Sequence, residues 1–423
     1  MSFPFEWNEP AGQPHNVAPR RERLRHHLKH AGSYFGLLGS DLAVAAPALW
    51  RYRRYRRASY QKPVELTAPF AVSASPAGKM NEAVIESLKA AGIRQTLVRL
   101  PSWERGNLSR YEAFCRLLRS ADIDVVAALL QCREDVHDPA SWKIFLDEAF
   151  SRFSPFCSFF EIGHAWNRTK WGVWDYKEYI DLALPAVPLA KKHGAGLVGP
   201  AVIDFEFHLY PPVLKAVAFD KVSSLLYVDR TGAPENAQYG WTAAKKLALL
   251  KAVVDSSAGE GRDCWITEMN WSLRATGEFS PAAGRPCVTE EDQANYLVRY
   301  FVICLATGLV ERIYWWQLVA PGYGLIDSRD TPWRKRPSYF ALAAMVRLLE
   351  GSRFIGKVPN IQAEIFFFRK REEEFAVCWT KKGTVDHRFA RPPKNVLGRD
   401  GKERRILPDG IRIEETPQYV FFR

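Results

Sequence analysis

FEIGHAWNRTKWG, Phe160 to Gly172, reads as a short apolar strand that opens into a polar, aromatic loop. A second stretch of the same character, CWITEMNWSL, runs from Cys264 to Leu273 and carries Glu268 at its middle. Each sets a carboxylate, or its near neighbours, at the end of an apolar strand. That is where a parallel barrel keeps its chemistry.

Outward from these two stretches, strand and helix candidates alternate from residue 66. The strands are PFAVSAS, TLVRLP, VVAALLQ, FFEIG, GLVGPAVIDF, VSSLLYVDR, CWITEMNW and RIYWWQLV. Amphipathic segments such as MNEAVIESLKAAG and YEAFCRLLRSA follow them. Apolar strands without in–out alternation fit burial on both faces. Eight β/α units in about 290 residues predict an α/β fold, a (β/α)8 TIM barrel over residues 63–350. A doubly wound open sheet is the alternative, but no GxGxxG follows the first strand. After Gly351 the texture changes to alternating strands, AEIFFFRK, FAVCWTKKG and IRIEETPQYVFFR. These predict a small C-terminal all-β, sandwich-like domain over residues 351–423 that packs on the barrel.

The chain has 423 residues, 47% of them hydrophobic, which suits one large domain with an accessory one. Its seven Cys are scattered without CxxC or metal-ligand spacing, so a reducing cytoplasm and no zinc site are expected. Secretory-signal order is missing at the N-terminus, and no apolar run reaches membrane-spanning length.

Charge is uneven. Eleven of the Lys and Arg lie between Arg20 and Lys62 against only Glu22 and Asp41, so most of the net +12 belongs to an N-terminal arm, residues 1–62. Residues 1–19 lack periodicity and are expected to be disordered. They include Trp7-Asn8-Glu9-Pro10, a glycosidase-like motif set aside because no strand precedes it. Residues 20–62 hold a basic run, the apolar AGSYFGLLGSDLAVAAPALW, then RYRRYRR. Asp41 and Pro47 break the apolar part too much for it to span a bilayer. A helix lying on an anionic membrane surface fits this pattern. A solvated helix packed on the barrel is the alternative, and nucleic-acid binding comes third.

In a retaining glycosidase one carboxyl group protonates the leaving oxygen and a second attacks the anomeric carbon. Ile266-Thr267-Glu268, Arg99 in LVRLP, Tyr227 in LLYVDR and Trp316 in YWWQL all fall at strand ends. In these residues the chain from 66 to 423 resembles the clan-A retaining glycoside hydrolases, particularly the β-xylosidase/α-L-iduronidase type with a C-terminal β-sandwich. The resemblance implies a nucleophilic Glu268, with Arg99 and Tyr227 supporting it and Trp316 flooring the sugar subsite. Trp315 is the alternative floor, because strand parity is not legible here.

The departure is at the fourth strand. The clan pattern Glu-Ile-apolar-Asn-Glu-Pro-Asn is met by Glu161-Ile162-Gly163-His164-Ala165-Trp166-Asn167, so Ala165 replaces the acid/base and His164 the usual Asn. Leu225 replaces the His common two residues before the sixth-strand Tyr. Three explanations stand: His164 serves as the acid, a carboxylate of Asp204, Glu206 or Asp229 reaches in, or the barrel only binds a glycan. Asn167, Arg168, Lys170, Trp171 and Trp174 then read as ligand contacts, and Asp229 joins them. The expected partners are a carbohydrate or glycolipid, such as an envelope polysaccharide precursor, and an anionic membrane surface met by residues 20–62. No nucleic acid, metal or organic cofactor is expected, and the location would be cytoplasmic, peripheral on the inner membrane face.

Overall fold

The computed structural model describes residues 6–8, 12–14, 19–228, 231–236, 238–280, 287–360, 362–406 and 410–422. Eight strands close a barrel in chain order: Phe70–Ser73, Gln95–Pro101, Asp124–Leu130, Cys157–Ile162, Gly196–Ile203, Lys221–Leu225, Asp263–Met269 and Arg312–Trp315. All pair in parallel, and the eighth returns to the first with Ile313 opposite Phe70. The predicted (β/α)8 barrel is therefore the fold.

Burial on both faces is visible strand by strand. Phe70, Val72, Val98, Phe160, Ile266 and Trp315 face the surrounding helices. Ala71, Leu97, Val126, Val198, Trp265 and Tyr314 fill the lumen. This parity sends Trp315 outward onto Trp271 and leaves Trp316 on the lumen side. The seventh strand breaks the alternation: Ile266 pairs with Ile313, but Met269, three residues on, pairs with Trp315, only two residues on. The extra residue re-aims the side chains between them. Thr267 points into the lumen beside Glu161, and Glu268, which strict alternation would turn out toward the helices, faces the mouth as well.

The C-terminal region forms a six-stranded antiparallel sheet in the order Pro393–Gly398, Gln418–Phe422, Glu373–Thr380, Ala363–Lys370, Arg353–Val358, Val64–Glu65. Its alternation is clean. Phe366, Phe368, Val377 and Trp379 join the barrel's outer core, whereas Ile365, Ala376, Cys378 and Val420 turn to a separate core with Ile411 and Ile413. The edge strand Val64–Glu65 comes from the linker ahead of the barrel, so this sheet holds both ends of the barrel segment.

The N-terminal arm is ordered where it is described. Helix α1 spans Arg20–Lys29 and helix α2 spans Ala31–Ala58. One face of α2 packs on the barrel: Tyr52 meets Ala248 and Ala252, and Arg51 reaches Glu260 at 3.2 Å. Its opposite face carries Phe35, Leu38, Leu42, Leu49 and Trp50, all exposed. Among the described residues no helix is long and apolar enough to cross a membrane. Residues 1–19, expected to lack order, instead contribute an antiparallel ribbon of Trp7–Asn8 and Gln13–Pro14. Its order comes from contacts with the barrel mouth, distant in sequence.

Candidate functional site

Glu268 stands at the C-terminal mouth of the barrel, 6% exposed. The Tyr227 hydroxyl donates to its Oε1 at 2.6 Å. Arg99 Nη2 donates to its Oε2, and to His164 Nε2 at 2.9 Å. The Arg99 guanidinium lies flat on the Trp316 ring, with Cζ 3.3 Å from the centroid. Arg99, His164, Tyr227, Glu268 and Trp316 are thus brought together from five strand ends.

The electrostatics divide the labour. Burial pulls the Arg99 guanidinium below its ordinary value while Glu268 opposes the shift, and an arginine remains cationic at any accessible pH. Burial and the neighbouring carboxylate hold the Tyr227 hydroxyl protonated, far above the ordinary tyrosine range. Glu268 therefore receives one cationic and one neutral donor and is left with an anion's geometry.

His164, expected as a possible acid, is packed as a hydrogen-bond acceptor of Arg99. It is buried against Trp171, ring centroids 4.5 Å apart. Burial, then the charges of Arg99 and Lys170, push its imidazole well below the usual histidine range. Nε2 accepts from Arg99, so the ring's proton sits on Nδ1. At the next position Ala165 offers a methyl group, fully buried, on a backbone with φ +43°.

The other residues expected at the site divide. Trp171 lines the mouth, and Lys170 bonds Gln13 of the ribbon. Asn167 does not face a ligand: it donates to the Ile203 carbonyl at 2.9 Å and accepts from the Ile203 N–H at 2.9 Å. Arg168 is spent on Asp204 at 2.5 Å and on Glu206, which also ties down two of the three carboxylates considered as replacement acids. Trp174 lies under the Arg133 guanidinium, 4.0 Å from Cζ. Asp229 lies outside the described residues. The polar loop after the fourth strand thus satisfies its hydrogen bonds internally, as buried backbone requires.

Several contributors escaped the sequence reading. Gln131 brackets the fourth-strand end, accepting from the His164 N–H at 2.9 Å and donating to the Trp171 carbonyl at 3.0 Å. Glu161 lies fully buried in the lumen, where burial pushes its carboxyl up to about 7, with Arg99 opposing. The N-terminal ribbon covers the mouth. Trp7 packs on Trp103 and Trp171, ring centroids 5.0 and 6.0 Å apart. The Gly12 carbonyl accepts from Arg99 Nη1 at 3.1 Å. A Cβ at Gly12, whose φ is +61°, would stand 2.8 Å from the Tyr323 hydroxyl and 3.2 Å from the Trp316 ring. Only glycine fits that approach. Of the Trp7-Asn8-Glu9-Pro10 motif set aside on the sequence, Trp7 and Asn8 lie in this ribbon, and Glu9 and Pro10 lie outside the described residues.

Three solved structures are similar over most of the chain. A family 39 glycoside hydrolase from Bacteroides cellulosilyticus WH2 matches with TM-score 0.67 and 15% identity, over 84% of this chain and 81% of that one. The fold is that of the clan-A glycoside hydrolases. A GH30 endoxylanase from Clostridium papyrosolvens C71 matches at TM-score 0.59 and 12% identity, over 86% of this chain and 98% of that one. The GH51 arabinofuranosidase of Xanthomonas axonopodis pv. citri does so at 0.59 and 11%, over the same shares. No protein-family description matches the glycosidase-like chain by sequence, and no curated protein does.

Proposed function

We propose that the barrel is a glycan site with retaining chemistry at Glu268, directed at a glycolipid or cell-surface polysaccharide. The observation that carries this reading is the triple arrangement of Arg99 and Tyr227 on the Glu268 carboxylate at the barrel mouth. It orients the carboxylate as a nucleophile and keeps it desolvated. With a methyl group at position 165, the reaction suits leaving groups that depart without general-acid help, worth about 10²–10⁴-fold for ordinary ones.

The membrane half rests on α2. Phe35, Leu38, Leu42 and Leu49 form one exposed stripe at helical spacing. Trp50, Arg53, Arg54, Arg56 and Arg57 follow it, and Arg20, Arg21, Arg23 and Arg25 precede it on α1. Each basic side chain near an anionic surface contributes about 1 kcal/mol. The seven cysteines are all buried and form no disulfide, in keeping with a reducing, cytoplasmic side of that surface.

A second reading, a silent glycan-binding or scaffold protein, is favoured by neutral His164 and by the ribbon over the mouth. Activated fluorosugars and nitrophenyl glycosides, with and without azide, separate the two. A covalent mass increment on Glu268, or a glycosyl azide product, is expected of the enzyme. Neither, across a broad panel that includes protein lacking residues 1–18, would establish the binder.

A further inference from the structure

The sequence pattern pointed to no metal site because its cysteines are scattered, but three other side chains converge away from the mouth. His26 on α1 and His30, at the junction of α1 and α2, lie one helical turn apart on the same side. Their rings stack, with centroids 4.3 Å apart and an interplanar angle of 17°. Both face Asp175, the residue that caps the helix Tyr176–Ala183. Asp175 Oδ1 is occupied, accepting the N–H groups of Lys177 at 2.8 Å and Glu178 at 3.1 Å. Oδ2 is turned to the histidines, 2.8 Å from His26 Nε2 and 3.8 Å from His30 Nδ1.

We propose that His26, His30 and Asp175 form a divalent-cation site, fitted to Zn²⁺, that clasps the N-terminal arm to the loop following the fourth barrel strand. The three donor atoms lie within 4.8 Å of one another. Tetrahedral zinc with nitrogen and oxygen ligands at about 2.1 Å sets neighbouring donors about 3.4 Å apart. The two observed separations bracket that value, so small side-chain adjustments would seat the ion. Two imidazoles and one carboxylate suit zinc or its borderline neighbours, not the all-oxygen preference of Ca²⁺ or Mg²⁺. The fourth position falls to water, because His30 is partly exposed. His26 Nδ1 faces Glu178 Oε1 at 3.9 Å, where a ligating histidine commonly finds its outer carboxylate. His27 takes no part, since its Nδ1 bonds the Tyr34 hydroxyl.

The clasp would join two elements that matter at the mouth. On one side α1 begins six residues after the ribbon, beside which Gly12 approaches Arg99 and Trp316. On the other, Asp175 ends the loop that carries His164 and Trp171. A cation there would hold the cover in place without touching the barrel.

The test uses the full chain, tag-free and stripped with EDTA, titrated with Zn²⁺ and with Co²⁺ as a coloured reporter. One equivalent per chain is expected, with the visible bands of tetrahedral Co²⁺ and slower proteolysis of the arm. His30→Ala removes a ring that makes no hydrogen bond in the absence of metal, so in EDTA it should melt with the parent protein. Asp175→Asn keeps an oxygen for the helix cap. Both substitutions should weaken binding by at least about tenfold. Equal binding by the parent and both variants, or no stoichiometric binding by the parent, would overturn the assignment.

Discussion

The ends of the seventh and fourth barrel strands stand together over one lumen and are built to opposite purposes. At the seventh, Glu268 is presented by a local bulge and held from two sides by Arg99 and Tyr227. At the fourth, Ala165 offers only a buried methyl group, and the neighbouring imidazole accepts from Arg99. One half is organised to stabilise an anion, and the other is packed shut. The mouth therefore sets a buried carboxylate with its donors against an apolar position on the facing strand.

Breaking the intact half should have the largest consequence. Arg99→Met leaves a buried carboxylate without its cation, an expected loss of about 3–5 kcal/mol in urea unfolding. Glu268→Gln in the same background should recover much of it, because the unpaired charge is then removed. If Arg99→Met were nearly neutral, the pairing would not be what holds the mouth.

Uncovering the mouth comes next. Deleting residues 1–18 removes the ribbon that bonds Arg99 and packs Trp7 on Trp103 and Trp171, and keeps α1 and α2. Labelling of Glu268 by an activated fluorosugar, or glycan affinity, should rise by about tenfold or more, as removal of a competing closed state requires. An unchanged rate would mean that the ribbon is not an obstacle.

The third prediction contrasts two carboxyl groups of one lumen. Glu161 has a folded pKa of about 7 against an ordinary 4.5, raised by burial. For a raised acid, the stability contribution is full below about 4.5 and lost as pH climbs through about 7. Glu161→Gln should flatten that decline, by on the order of 1–3 kcal/mol between pH 5 and pH 8, read from urea midpoints. A parallel decline in both proteins would assign the pH dependence elsewhere.

The smallest effect concerns the arm's outer face. Leu42→Glu on the exposed stripe of α2 should reduce sedimentation with anionic vesicles at low salt several-fold, without changing the melting temperature. Equal sedimentation would remove the membrane from the proposal and leave the barrel chemistry untouched.

Much of this was legible before any coordinates. The barrel is written in strands such as TLVRLP and VVAALLQ, whose unbroken apolar character needs only local reading. The meeting of Arg99, Tyr227 and Glu268 at the mouth was legible as residue types at strand ends. Asn167 and Arg168 misled because a polar loop looks alike whether it meets a ligand or itself. Their partners, Ile203, Asp204 and Glu206, lie more than thirty residues away. Trp7–Asn8 and Gln13–Pro14 were unreadable for a related reason: four paired residues of ribbon have no order of their own, and contacts with Trp103, Lys170 and Trp171 help supply it.

What the amino-acid order determined by itself was the eightfold β/α alternation and the apolar strand faces, since burial on both sides of a strand is recorded in neighbouring residues. What the tertiary structure alone decided was that Glu268 turns inward, that Trp316 and not Trp315 lies beside it, and that the chain's own N-terminus covers the mouth. Those outcomes depend on one register shift against the eighth strand and on hydrogen bonds between segments remote in the chain, which no local pattern encodes.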